Sequence, residues 1–318
     1  MGLIRKEDIH ESFLKSLYNP NLLINGDFQV WQRGLGENGT NYFNCTNCSK
    51  YTADRFAVCG ENDANLIAEK QKGYGIKLTF RDHTLNTSNI RTWFDRDDIL
   101  KMVGKTYTYS VEYQYEYNDP WSLGLNTFSF PNNSVNFSII KSKKIEVGPK
   151  QIILETTFRI NSVSDDATKI HIQWLRSKEN VDSFGYHIIR YIKLEEGTIA
   201  TPFIPRLYDE ELALCKRYYE VSNNDCYISG TKTHTSYKVE YKYDVEKRVS
   251  PTIECGNRNT KGQMYLFVPN NLKLVTPNSI APDTKKVGIE FPLQDNDQLN
   301  NGNACGVTGW IKADAEIY

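Results

Sequence analysis

No run of apolar residues in this 318-residue sequence approaches the roughly 20 that cross a bilayer, so no membrane insertion is expected. Residues 1–18 are charged and lack an apolar core, which argues against a secretory leader. A chain of this kind acting outside the cell would leave by lysis or inside a particle. There is no excess of positive charge either: 38 Lys and Arg stand against 39 Asp and Glu, for a net charge of -1. A protein that tracks phosphates needs a basic stripe, so nucleic acid is not an expected partner. No internal repeat and no heptad run long enough for a coiled-coil shaft is found. Histidine is scarce, with five residues, and none stands at HExxH or another metal-binding spacing. A G-x-S-x-G elbow is missing. The stretch Gly34-Leu35-Gly36-Glu37-Asn38-Gly39 loosely matches G-x-G-x-x-G, but no following helix or βαβ context supports it. Acidic groups such as Asp95/Asp97/Asp98, Asp165/Asp166 and Glu195/Glu196 are of the kind usually solvated. No catalytic set emerges, and the chain is expected not to be an enzyme.

Aromatic residues, in contrast, are plentiful at 12%, with 20 Tyr. Strands favour aromatic and β-branched side chains, and Tyr-rich surfaces also suit binding. Period-two alternation is plain over 107–117. There Tyr107, Tyr109, Val111, Tyr113, Tyr115 and Tyr117 alternate with polar residues, so one face should pack and the other meet water. The pattern returns over 152–160, over 170–174 (Ile170, Ile172 and Trp174 interleaved with His171 and Gln173) and over 186–195. Turn-rich segments separate these runs, which indicates an antiparallel sandwich. Before them, 3–18 reads as a short amphipathic helix with Ile9, Phe13, Leu14 and Leu17 on one face, stopped by Pro20. It could dock onto a larger assembly or pack on its own body. Pro202 and Pro205 mark a joint, followed by a helix over 209–221 with acidic residues first and Lys216 and Arg217 late. Strands are expected again over 237–245, 264–268, 286–292 and 309–317. The predicted organisation is therefore an arm (1–19), a β domain (20–205) and a smaller helix-plus-β domain (206–318).

Seven Cys occur, at 45, 48, 59, 215, 226, 255 and 305. Cys45-x-x-Cys48 with Cys59 nearby could hold zinc, but no second pair or close His completes four ligands, so free thiols are the default.

Three segments carry a family resemblance when taken in order. The first is Asn21-Leu22-Leu23-Ile24-Asn25-Gly26-Asp27-Phe28 through Gly34, with Tyr51-Thr52-Ala53-Asp54-Arg55-Phe56. The second is Ile192-Lys193-Leu194-Glu195-Glu196-Gly197, running through Ala200-Thr201-Pro202-Phe203 to Glu211–Tyr219; the third is Ala313–Ile317. Together they resemble phage and prophage tail-associated proteins of the tail-fibre or receptor-binding type. In those, an N-terminal domain similar to carbohydrate-binding jelly rolls opens with a first strand carrying N-L-x-x-N-G-x-F and closes with K-L-E-x-G. The resemblance spans roughly 20–318. It implies an all-β fold class: an antiparallel jelly-roll β-sandwich, then a smaller mainly-β domain opened by one helix, with a short N-terminal helix. It places Phe28, Val30 and Leu194 in the core, and Asn25-Gly26-Asp27 in a tight turn or bulge beside the last strand.

The resemblance also implies a function: a virion protein at a tail or other exterior position, assembled in the bacterial cytoplasm, that attaches to the host by binding surface polysaccharide. Other virion proteins would contact residues 3–18, and a homotrimer is the usual oligomer. A purely structural collar, baseplate or decoration protein, using the jelly roll as scaffold, is the alternative. No cofactor is required; a structural calcium, as related jelly rolls hold, would draw on Asp27, Glu195 or Glu196, which are otherwise ordinary turn and surface carboxylates. Sugar recognition stacks an aromatic ring on a C–H face amid carboxylates and amides. Two places have that content: Tyr117, Asp119 and Trp121 in one polar turn, and Trp93 with Asp95 and Arg96. Trp31 and Trp174 read as structural.

Overall fold

A computed structural model of the chain describes residues 19–34, 42–46, 48–60, 66–80, 88–116, 121–122, 128–130, 135–165, 169–176, 185–222, 226–268, 271–293 and 304–316. The helix expected over 3–18 lies outside them. The fold is all-β and antiparallel. The chain divides into two compact units, the first ending at Glu211 and the second comprising Leu212–Glu316.

The first unit is a sandwich of two sheets. Across the larger one the strands run Phe43–Asn44, Leu66–Lys70, Ile76–Phe80, Gly185–Glu196, Thr106–Tyr115, Gln151–Val163 and Val135–Gly148. Across the smaller they run Cys48–Tyr51, Ala57–Gly60, Ser88–Phe94, Lys169–Arg176 and Trp121–Ser122, with Phe128–Phe130 also on Lys169–Arg176. Alternate residues of both sheets fill one core that contains Tyr109, Val111, Tyr113, Ile152, Ile90, Ile172 and Trp174. The rings of Tyr113 and Trp174, one from each sheet, lie 5.0 Å apart. Of the alternation expected over 107–117, the part in the strand Thr106–Tyr115 holds for the packed face, but Thr108 and Ser110 on the polar face are buried as well, and Tyr117 lies outside the described residues. Thr108 meets Thr157 Oγ1 at 3.2 Å and donates to Gly197 O at 2.9 Å, which removes the cost of taking that hydroxyl out of water.

The N-L-x-x-N-G-x-F segment is a turn, not a strand. Asn21 accepts from Leu23 N (3.0 Å) and Leu194 N (2.9 Å) and donates to Ile192 O (2.9 Å), so one side chain ties the chain start to the last strand. Asn25 takes a positive φ of 59°, a conformation Asn tolerates better than most residues. Its amide donates to Val30 O and Asp54 O and accepts from Val30 N, at 2.8–2.9 Å. Gly26 packs so closely that a Cβ would stand 2.2 Å from Asn21 Nδ2 and 2.4 Å from Ile192 O. Asp54, buried, accepts from Gln32 N at 3.0 Å and from Gln32 Nε2 at 2.5 Å. Glu211 closes the arrangement. It accepts from Asn25 N at 2.5 Å and pairs with Arg206, whose guanidinium also donates to Leu23 O and Asn21 O. Phe28, Val30 and Leu194 are all fully buried.

The helix at the unit division is Tyr208–Lys216, shorter than the predicted 209–221. Its end has a physical cause: Lys247 Nζ donates to Lys216 O at 2.6 Å, and Arg248 N donates to Arg217 O at 3.0 Å. The acceptors for a further turn are thereby taken, and Tyr219–Val221 becomes a strand on Ala304–Asp314. That long strand is the hub of the second unit. Its first half pairs with Cys226–Lys232 and Met264–Val268, and its second half with Tyr219–Val221 and Thr252–Gly256. Beyond Met264–Val268 lies Asn271–Val275; beyond Cys226–Lys232 follow Ser236–Lys242, Lys286–Pro292 and Ser279–Pro282. Tyr237, Val239, Leu266, Val287, Phe291, Val307 and Ile311 belong to its core. A buried ion pair sits at one end: Lys247 Nζ meets Glu220 Oε2 at 2.5 Å, and Glu220 Oε1 accepts from Tyr241 Oη and Asp244 N at 3.1 Å.

These contacts set the expected cost of removing them. Asn25→Ala strands Val30 N–H and two carbonyls, and each group left buried and unpaired costs about 1–3 kcal/mol. Lys247→Met leaves Glu220 buried without its cation and should cost about 3–5 kcal/mol. Urea melts of both variants check these values.

Candidate functional site

Of the residues singled out for glycan binding, Tyr117 and Asp119 lie outside the described residues. The backbone of Trp121 pairs with Arg176 in the strand Trp121–Ser122. Trp93 is placed in full. It stands on Ser88–Phe94, where Ile90 points into the core and Asn89, Arg91 and Trp93 point to the other face. On the neighbouring strand His171 pairs with Trp93 and Gln173 with Arg91, again on the face away from Ile170, Ile172 and Trp174. The outward face of the smaller sheet thus gathers one Trp, one Arg, one His and two amides.

The geometry is close. His171 approaches Trp93 edge-on, with ring centroids 4.3 Å apart, and its Nε2 lies 3.1 Å from Gln173 Oε1. The Arg91 guanidinium sits 5.3 Å from the Trp93 ring centroid, a cation–π contact. Arg55, itself at a positive φ of 69°, donates through Nη2 to Trp93 O at 2.6 Å and fixes the strand end. Asn89, His171 and Gln173 are each only 2% exposed, although they face away from the core, whereas Arg91 and Trp93 keep part of their surface in solvent. Among the described residues Arg91 has no carboxylate partner, and its buried Nε makes no hydrogen bond. Buried polar side chains on an outward sheet face are the informative observation, since apolar packing does not require them. Asp95 stands two residues beyond Trp93, at the N-cap of the short helix Arg96–Leu100, without a side-chain bond to the helix amides. Arg96 pairs with Asp165 at 3.4 Å.

Burial, reinforced by the Arg91 charge and opposed by the bond to Gln173, holds His171 down at about 4. The ring is therefore neutral at physiological pH, one nitrogen donating and the other accepting. Such a face can bind: a guanidinium suits carboxylates, phosphates and hydroxyls, and the ring edges exclude water around them. Sequence reasoning singled out Trp93 but not the Arg91, His171 and Gln173 that the strand register sets beside it. The signal lay in the alternation, which puts His171 and Gln173 on one face, but only the strand register sets them beside Trp93.

The carboxylates considered for calcium have other partners. Glu195 accepts from Thr201 N and Thr201 Oγ1 and pairs with Lys193 at 3.1 Å, and Glu196 pairs with Lys105 at 3.1 Å. Asp27 is buried, with one oxygen lacking a hydrogen-bond partner, and burial raises its pKa above the usual carboxylate range. Among the described residues no three His, Cys, Asp or Glu side chains gather at metal-binding distance. As placed, these residues do not fit a calcium site. Cys45 and Cys59 are buried. Among the described residues no helix is long and apolar enough to cross a membrane.

The depressed His171 value has a sign. The folded state favours the neutral ring, the unfolded chain binds the proton at the ordinary value near 6.5, and so this contribution to stability is full above that pH and is lost as pH falls toward 4. His171→Gln should flatten that part of the stability–pH curve, which urea melts between pH 7 and pH 4 measure.

No known protein family and no curated protein matches this chain. Among solved structures it is similar to the N-terminal CBM22-1–CBM22-2 tandem domain of Xyn10C from Paenibacillus barcinonensis. That likeness has 8% identity and a TM-score of 0.25, over 93% of this chain and 96% of the other.

Proposed function

We propose that this protein is a non-catalytic, glycan-binding component of a virion exterior, of the tail-fibre or receptor-binding type, and that its first unit takes host surface polysaccharide on the face around Trp93. One observation carries the binding part: Arg91, with no carboxylate partner among the described residues, lies on a part-exposed Trp beside a buried neutral His and Gln. An arginine held in this way suits an acidic or phosphorylated sugar, which would complete its hydrogen bonds. The virion part rests on the ordered motifs at 21–34, 51–56, 192–219 and 313–317, which resemble tail-associated proteins. In this reading residues 3–18 grip another virion protein, the chain is displayed as a homotrimer, and release is by lysis. Three copies would raise avidity over individually weak sites.

A second reading has its own support. Trp93 already has Arg91 against its face and His171 at its edge, as in a packed surface that binds nothing. A structural collar, baseplate or decoration protein would look the same. Retention of the intact oligomer on host cells and on isolated surface polysaccharide separates the two. Arg91→Ala and Trp93→Ala should each lower retention about tenfold or more with melting unchanged, a loss of about 1.4 kcal/mol in binding. Equal retention by all three proteins would favour the scaffold.

A further inference from the structure

The second unit presents a different outward face. On its sheet the residues turned from the core are Tyr227, Ser229 and Thr231 on one strand, Lys238 and Glu240 on the next, and Gly288 and Glu290 on the third. Ser229 pairs with Gly306, Glu240 with Gly288, and Gly288 with Ala281. Where the side chains are this small, the surface sinks into a trough of about 360 Å³. That is within the size of small-ligand sites, which run from about 300 to 1,000 Å³.

On the same face, two residues before Ser229 and over the neighbouring strand on the other side, lies an aromatic platform. Tyr227 is 60% exposed, and its ring lies down along Gly306 so closely that a Cβ there would stand 2.2 Å from the phenol oxygen. Glycine at 306 is what lets the ring lie flat against the sheet. Phe267, 39% exposed, stands with its ring 5.8 Å from that of Tyr227. A single exposed aromatic needs no explanation; two in contact on the face that carries a trough do. The polar lining is balanced. Lys238 pairs with Glu290 at 2.7 Å, and Lys286 with Glu240 at 2.7 Å, so the trough offers charged donors and acceptors without an uncompensated ion.

We propose that this trough is a second binding site, for a neutral oligosaccharide, with Tyr227 as the stacking ring. The apolar C–H face of one pyranose fits the exposed phenol, while the hydroxyls of the sugars linked to it meet Ser229, Thr231, Glu240 and Glu290 across the neighbouring strands. Hydrogen bonds to such charged groups are the stronger kind. The site stands independently of the face around Trp93, and its partner differs: balanced ion pairs suit uncharged sugar, as a guanidinium with no carboxylate partner among the described residues suits acidic sugar.

The test uses the full chain carrying Trp93→Ala, on an array of neutral and uronic-acid oligosaccharides. To that background Tyr227→Ala or Gly288→Val is added. A Cβ at Gly288 meets nothing nearer than Ala281 O at 3.9 Å, so valine fills the trough without breaking the strand. The expected result is neutral-glycan binding by the Trp93→Ala chain that falls about tenfold or more in both double variants, with unchanged melting. A Trp93→Ala chain that holds no neutral glycan, or one whose binding neither addition alters, overturns the proposal. Loss of binding to acidic sugars on Arg91→Ala bears on the first unit alone.

Discussion

The first unit depends on how its chain start is pinned. The turn over 21–30 has to lie against the last strand of a sandwich, where its amides and carbonyls leave water and only some find a sheet partner, as Leu22 N does in Leu194 O and Gly26 O in Ile192 N. Asn21 and Asn25 supply much of what a ladder would: each uses both ends of its amide on backbone groups, while Glu211 takes Asn25 N and Arg206 takes Leu23 O and Asn21 O. Buried backbone groups are almost always paired, and here side chains share the pairing with the backbone. The glycine that follows Asn25 has the same origin in close approach, since the carbonyl of Ile192 stands where a methyl group would be.

That constraint explains which features of the fold are legible in sequence. Strands are visible wherever one face is apolar and the other polar, as with Tyr107, Tyr109, Val111 and Tyr113. The turn at Asn25 is visible through its Asn-Gly pair. Burial of the polar face is not visible, because Thr108 and Ser110 look the same whether they meet water or, as Thr108 does, the carbonyl of Gly197. The early end of the helix at Lys216 is also hidden. It depends on Lys247 and Arg248, some thirty residues later, reaching its last carbonyls. Composition at the helix itself favours continuation, and long-range capping decides otherwise.

The surfaces proposed to bind ligands are legible to a lesser degree, for a related reason. Trp93 stands out by residue type alone. Arg91, His171 and Gln173 are ordinary members of an alternating pattern until register places them in one row across two strands. Tyr227 lies in a segment, Cys226–Lys232, whose alternation is weak because glycine and small hydroxyl residues fill it. The features that hide that strand from a sequence reader are those that open the trough.

Charge separates the two outward faces more sharply than shape does. Around Trp93 the Arg91 cation has no anion among the described residues while the adjacent histidine is kept neutral, so a ligand there meets positive potential in a partly dry setting, where electrostatic interactions are strengthened. In the trough each carboxylate already has its lysine, and what attracts a ligand is ring surface and hydroxyl-sized acceptors. A chain that carried both kinds of site could hold a heteropolymer of acidic and neutral sugars through several weak contacts. Affinity would then grow with the number of contacts made at once, and a short fragment offering only one kind of sugar would be held weakly.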